Sequence, residues 1–136
     1  MTDSRIETIN GCMTAFLSGE LDHHAAKAVR ENIDSKINTD RPHTLILDFL
    51  DITFMDSSGI GLVMGRYRQM KLLDGELHIT NTSPNISRVM RLAGLEKIAH
   101  MDQIQEKNKT RARNQVHIRK QSDIQKKKEG IIKNEK

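Results

Sequence analysis

Residues 45–73 read LILDFLDITFMDSSGIGLVMGRYRQMKLL. Leu45, Ile46 and Leu47 form a continuous apolar run, the pattern of a strand buried on both faces. That strand is placed at His43–Phe49, after a break at Arg41-Pro42. Leu50–Ser57 reads as a loop carrying Ile52, Phe54 and Met55. From about Ser58 to Leu73 the apolar spacing becomes helical, with Ile60, Val63, Met64, Tyr67 and Met70 on one stripe. Asp74-Gly75 closes the helix with a favourable glycine. A buried strand feeding a helix through a short polar junction is the building unit of an α/β sheet.

Working outward, residues 5–9 and 13–17 read as two strands joined by Asn10-Gly11, a strong hairpin-turn dipeptide, and Ser18-Gly19-Glu20 closes the second. Asp22 then caps a helix from about His23 to Ile37, with Ala25, Ala26, Val29, Ile33 and Ile37 along one face. On the other side, Glu76–Thr80 reads as a strand. Ser83-Pro84 starts a further helix, serine as cap and proline in the first turn. It carries Ile86, Val89, Met90 and Leu92 before Gly94, and Leu95 and Ile98 enter one more short segment. The expected fold is α/β: a mixed β-sheet with an opening hairpin and helices packed on it.

Composition narrows the function classes. The chain has 136 residues, about one domain. It has three Phe, one Tyr and no Trp, so the core must be aliphatic and methionine-rich. Cys12 is the single cysteine, which excludes an internal disulfide, and it reads as a lone thiol. No stretch approaches the ~18 apolar residues needed to span a bilayer. The opening MTDSRIETIN lacks the order of a signal peptide. A cytoplasmic protein without membrane contact is expected. The net charge of +4 is unevenly spread. Residues 106–136 hold 11 of the 22 Lys and Arg against 4 of the 18 Asp and Glu, so residues 1–105 are mildly acidic. Residues 1–105 are expected as the folded domain and 106–136 as a basic, disordered or divergent tail. Direct DNA contact would rest on that tail alone and is not expected.

Asp56-Ser57-Ser58-Gly59 at the mouth of a helix is the segment that carries chemistry. A serine there lies on the surface beside unpaired backbone N–H groups. A phosphate would add about −1.5 to −2 charges, which a helix N-terminus tolerates. A partner docked on that surface would face new charge next to Asp56 and lose close packing at Gly59. Abolishing a micromolar contact needs about 3–4 kcal/mol, within the reach of charge burial. The same serines also read as a plain helix cap, Ser57 or Ser58.

The chain resembles the anti-sigma-factor antagonists of the STAS domain family, of the sporulation (sigma F) type found in Gram-positive spore formers. The matching residues are Gly19-Glu20-Leu21-Asp22-His23-His24, Phe54-Met55-Asp56-Ser57-Ser58-Gly59-Ile60-Gly61 and Gly65-Arg66-Tyr67, with Ser83-Pro84 and Gly94-Leu95. The resemblance covers about residues 5–102. It implies that the serine directly before the glycine, Ser58, is phosphorylated. It implies partner switching: the unphosphorylated form binds an anti-sigma factor that is itself a serine kinase, freeing the sigma factor. Phosphorylation then releases the complex, and a PP2C-type serine phosphatase restores the active form. The implied partner surface comprises Glu20, Asp22, His23 and His24 with Asp56, Ser57, Ser58, Gly59, Ile60 and Gly61. No catalytic residue, cofactor or metal is implied. The family also implies a last amphipathic helix beyond Met101. Asp102-Gln103-Ile104-Gln105 begins like it before the lysine-rich run, and loss of that helix would leave the sheet partly uncovered.

Competing readings are weaker. Gly59-x-Gly61-x-x-x-Gly65 departs from a dinucleotide-binding turn in spacing, and Glu76 comes too early for its acidic partner; Gly61 and Gly65 are expected to let the helix lie close to the sheet. His23 and His24 are adjacent, about 100° apart on a helix, and cannot easily grip one metal. The serines lack a Gly-x-Ser-x-Gly setting. A second class stays open: a STAS-domain scaffold or small-ligand sensor in a stress-signalling complex.

Overall fold

The computed structural model describes residues 3–103. Asn10 and Gly11 take positive φ values of 52° and 80°, the pair of left-handed positions that a type I′ turn requires. The turn folds β1 (Asp3–Ile9) directly back on β2 (Cys12–Leu21). Strand and helix then alternate through α1 (His23–Asp40), β3 (Thr44–Met55), α2 (Ser57–Leu72), β4 (Glu76–Thr82) and α3 (Pro84–Leu92). A 3-10 turn at Leu95–Lys97 leads into β5 (His100–Gln103). The strands lie in the order β1-β2-β3-β4-β5. The β1–β2 pair is antiparallel and the others are parallel. This is the mixed α/β sheet with an opening hairpin that the sequence pattern indicates.

Each crossover advances the same way across the sheet. Because β-α-β connections are right-handed, α1, α2 and α3 fall on one face. Burial follows that geometry. Met13, Ala15, Leu17, Leu45, Leu47, Phe49, Leu77 and Ile79 are buried and meet Ile33, Val63 and Met90 from the three helices in one core. The alternate strand positions Thr14, Phe16, Ile46, Asp48, His78 and Thr80 are only half-buried. Ile46 therefore corrects the expectation of a strand buried on both faces.

Several element boundaries differ from the sequence reading, each for a tertiary reason. β3 does not stop at Phe49; the expected loop over residues 50–57 is strand as far as Met55. β2 likewise runs past Ser18-Gly19-Glu20 to Leu21. The two extensions pair with each other, Ser18 with Asp51 and Leu21 with Met55, across register shifts at Phe16/Ser18 and Gly19/Glu20. Such bulges break the period-two pattern in sequence while the ladder continues. Gly19 takes φ of 91°, as a bulge glycine does. In α2 the buried positions are Gly59, Leu62, Val63, Arg66 and Met70, so the stripe is rotated from the expected one, and Ile60, Met64 and Tyr67 lie at its margin. In α3, Ser87 is buried while Val89 and Leu92 are exposed. Asp102 and Gln103 belong to β5 and do not begin a helix. The boundary at residue 105, the rest of the expected last helix and the tail at 106–136 lie outside the described residues. None of the described helices is long and apolar enough to cross a membrane.

Candidate functional site

The carboxyl ends of β2 and β3 lie side by side, with Glu20 opposite Phe54 and Leu21 opposite Met55. The Asp56 N–H donates to the Leu21 carbonyl at 3.3 Å and closes the junction. The helices that leave these strands must therefore also start side by side. Each start is capped by an aspartate. Asp22 Oδ1 accepts from the Ala25 N–H at 2.9 Å, and Asp56 Oδ1 accepts from the Ser58 N–H at 2.8 Å. Ser57 and Ser58 are thus the first two residues of α2 and neither is its cap. With Asp56 in that role, the serine hydroxyls are not spent on the helix end. Ser58 Oγ instead lies 3.4 Å from Nδ1 of His23, the first residue of α1.

The expected partner-facing residues gather at this one end of the sheet. Glu20, His23, His24, Ser57 and Gly61 are exposed, while Asp22, Asp56, Ser58 and Ile60 are half-buried. Gly59 is buried, and its role is packing: a Cβ there would overlap the Met55 side chain and stand 3.3 Å from Leu21 Cδ2. Gly61 and Gly65, expected to bring the helix close to the sheet, have open space where a Cβ would go. The close approach belongs to Gly59 alone of the three. Gly59, Gly61 and Gly65 all lie within α2, not in a loop before it, so no glycine-rich turn is available to wrap a pyrophosphate.

Sequence reasoning missed three neighbours. Phe54, assigned to a loop, is 49% exposed at the end of β3. Lys27 and Arg30 line a cleft of about 640 Å³ with His23 and Ser58. Residues 23, 27 and 30 fall on one face of α1 by helical periodicity, and that spacing was the available signal. Arg66 is a further positioning residue, 7% exposed in the body of α2. Its Nε lies 3.0 Å from Asp34 Oδ1 of α1 and donates to Gln69 Oε1 at 3.2 Å. Its Nη1 has no hydrogen-bond partner among the described residues. Burial pushes the Arg66 pKa below its ordinary value, Asp34 opposes that shift, and Arg30 adds to it. The Asp34–Arg66 pair joins the body of α1 to the body of α2.

These features meet in one protein class. A family model for the STAS domain matches residues 3–108, and the chain belongs to that family. Among its relatives, the anti-sigma F factor antagonist of Paenibacillus polymyxa is 36% identical over 93 residues, covering 68% of this chain and 80% of the relative. That of Lysinibacillus sphaericus is 40% identical over 79 residues, covering 58% and 68%. The solved structure of the anti-sigma factor antagonist SpoIIAA in its unphosphorylated form matches with a TM-score of 0.62 at 31% identity, over 85% of this chain and 98% of that one. The phosphorylated form of Bacillus SpoIIAA matches with the same TM-score at 33% identity, over 84% and 99%.

Proposed function

We propose that this chain is an anti-sigma factor antagonist of the sporulation type, switched by phosphorylation of Ser58. The unphosphorylated form binds an anti-sigma factor serine kinase in the cytoplasm and thereby frees a sigma factor. The kinase phosphorylates Ser58, the complex dissociates, and a PP2C-type serine phosphatase reverses the modification. The chain is substrate and binding partner and performs no catalysis of its own. The docking surface runs from Glu20 to His24 and from Asp56 to Gly61.

The observation that carries this reading is the junction of two helix starts. Asp56 caps α2 and leaves Ser58 Oγ turned toward His23 at the rim of the domain. A phosphate there adds about −1.5 to −2 charges at a helix N-terminus, a place that accommodates anions without unfolding. Lys27 and Arg30 on the same cleft add favourable charge on the protein's own side. A partner seated over Ser58 receives no such compensation, and about 3–4 kcal/mol of lost contact dissolves a micromolar complex. The relatives named as anti-sigma F factor antagonists, and the existence of SpoIIAA in phosphorylated and unphosphorylated forms, support the assignment.

The test is incubation with the cognate anti-sigma kinase and ATP, followed by mass spectrometry and a binding assay. The expected outcome is a single phosphate on Ser58, with loss of the complex. No phosphate, or a phosphate on another residue with the complex intact, returns Ser58 to a structural role and leaves a scaffold as the better description.

A further inference from the structure

At the opposite end of the strands from Ser58, where Glu76 lies beside Thr44 at the start of β3, the fold gathers three ligand-type side chains. His78 and His100 are direct partners in the parallel β4–β5 ladder. Paired residues of neighbouring strands project to the same face about 4.8 Å apart. Their imidazole rings accordingly stack, with centroids 4.6 Å apart and planes 20° from parallel. Glu76 precedes His78 by two residues and so shares that face. Its Oε1 lies 3.1 Å from His78 Nε2. One ligand atom from each of Glu76, His78 and His100 lies within 4.8 Å of the others.

The geometry points to a divalent transition-metal site of the Zn²⁺ class, built from Glu76, His78 and His100 across the β4–β5 edge. Tetrahedral Zn²⁺ with ligands at about 2.0–2.1 Å holds neighbouring donor atoms about 3.3 Å apart. The Glu76–His78 pair already has that separation; the remaining closure is at most about 1.5 Å, and the stacked imidazoles must turn out of their near-parallel arrangement to aim at one ion. Two imidazoles and a carboxylate select Zn²⁺, Cu²⁺ or Ni²⁺ over Mg²⁺ or Ca²⁺, which prefer all-oxygen shells. Glu76 is 68% exposed and His78 29%, so an ion reaches the site from solvent and a water completes the shell. Among the described residues, Leu77 and Ile79 of β4 face the core with α1, α2 and α3, and the three ligand residues lie on the other face, so binding requires no core rearrangement. The bound ion would tie the four-residue edge strand β5 to β4.

The test is titration of the full, chelator-treated chain with ZnCl₂ by isothermal calorimetry, with thermal melts in parallel and MgCl₂ as the comparison ion. The expected result is saturable binding of a single Zn²⁺, a raised melting temperature, and no response to Mg²⁺. Loss of even an outer-shell partner weakens metal sites about 10–100-fold, so His78→Ala and His100→Ala should each weaken binding at least about tenfold. Glu76→Gln should weaken it in the same direction. Both histidine sites lie at or near the surface, and far-UV circular dichroism of each variant checks that it is folded. No saturable Zn²⁺ binding by the unaltered chain overturns the proposal, as does undiminished binding by the folded His78→Ala and His100→Ala variants.

Discussion

Helices α1 and α2 leave the carboxyl ends of neighbouring parallel strands, and each is capped by an aspartate. Beyond the cap they diverge. α1 continues His23-His24-Ala25-Ala26 and buries an ordinary aliphatic stripe of Ala26, Val29, Ile33 and Ile37. α2 continues Ser57-Ser58-Gly59 and buries Gly59 in its first turn, where a larger residue would strike Met55. One start thus presents two exposed imidazoles at its tip. The other presents hydroxyls and is drawn tightly onto the strand end. The same capping chemistry serves two purposes, and the difference lies in what stands next to the cap. Because the two starts adjoin, the hydroxyl of one faces the imidazole of the other.

The largest expected contrast is chemical. Ser58→Ala should abolish phosphate incorporation by the cognate kinase while the complex persists, and Ser57→Ala should leave incorporation intact; tandem mass spectrometry distinguishes them. Incorporation lost in Ser57→Ala instead would reverse the assignment within α2. Next in size is packing. Gly59→Val should lower stability by about 1–3 kcal/mol through overlap with Met55, read as an earlier midpoint in urea denaturation. Removing the caps should be nearly symmetric. Asp22→Ala and Asp56→Ala should each cost about 1 kcal/mol, a drop of roughly 4–8 °C in melting temperature for a domain of this size. If only one of them destabilises, the two starts are less alike than their hydrogen bonds indicate. The smallest effect has the opposite sign. Gly61→Ala meets open space inside a helix and should raise stability by about 0.5–1 kcal/mol, visible as a modest rise in melting temperature.

Much of this site was legible in the sequence because it is built from local rules. Asn10-Gly11, Asp22 before a helical stripe, and Ser83-Pro84 each state their geometry within a few residues. The Asp56-Ser57-Ser58-Gly59 run marks a strand-to-helix junction without reference to the rest of the chain. The misreadings arose where one strand's length depends on another. β3 continues through Thr53 and Phe54, exposed polar and aromatic positions that look like loop, because β2 lies beside it and supplies the ladder. The capping role likewise passed from the serines to Asp56, one or two positions earlier than a serine cap would place it.

The sequence by itself determined the α/β class, the opening hairpin, the starts of α1 and α3, and the position of Ser58 at a helix mouth. Steric and hydrogen-bonding preferences of two to four adjacent residues suffice for these. Only the tertiary structure decided that His23 meets Ser58, that Arg66 is buried against Asp34, and that Glu76, His78 and His100 converge on one face. Apart from Glu76 with His78, those contacts join residues 22 to 35 positions apart, as His78 with His100 and His23 with Ser58. No local propensity encodes such a distance. It follows from parallel strands joined by same-handed crossovers, which bring the ends of different strands, and the helices between them, into register.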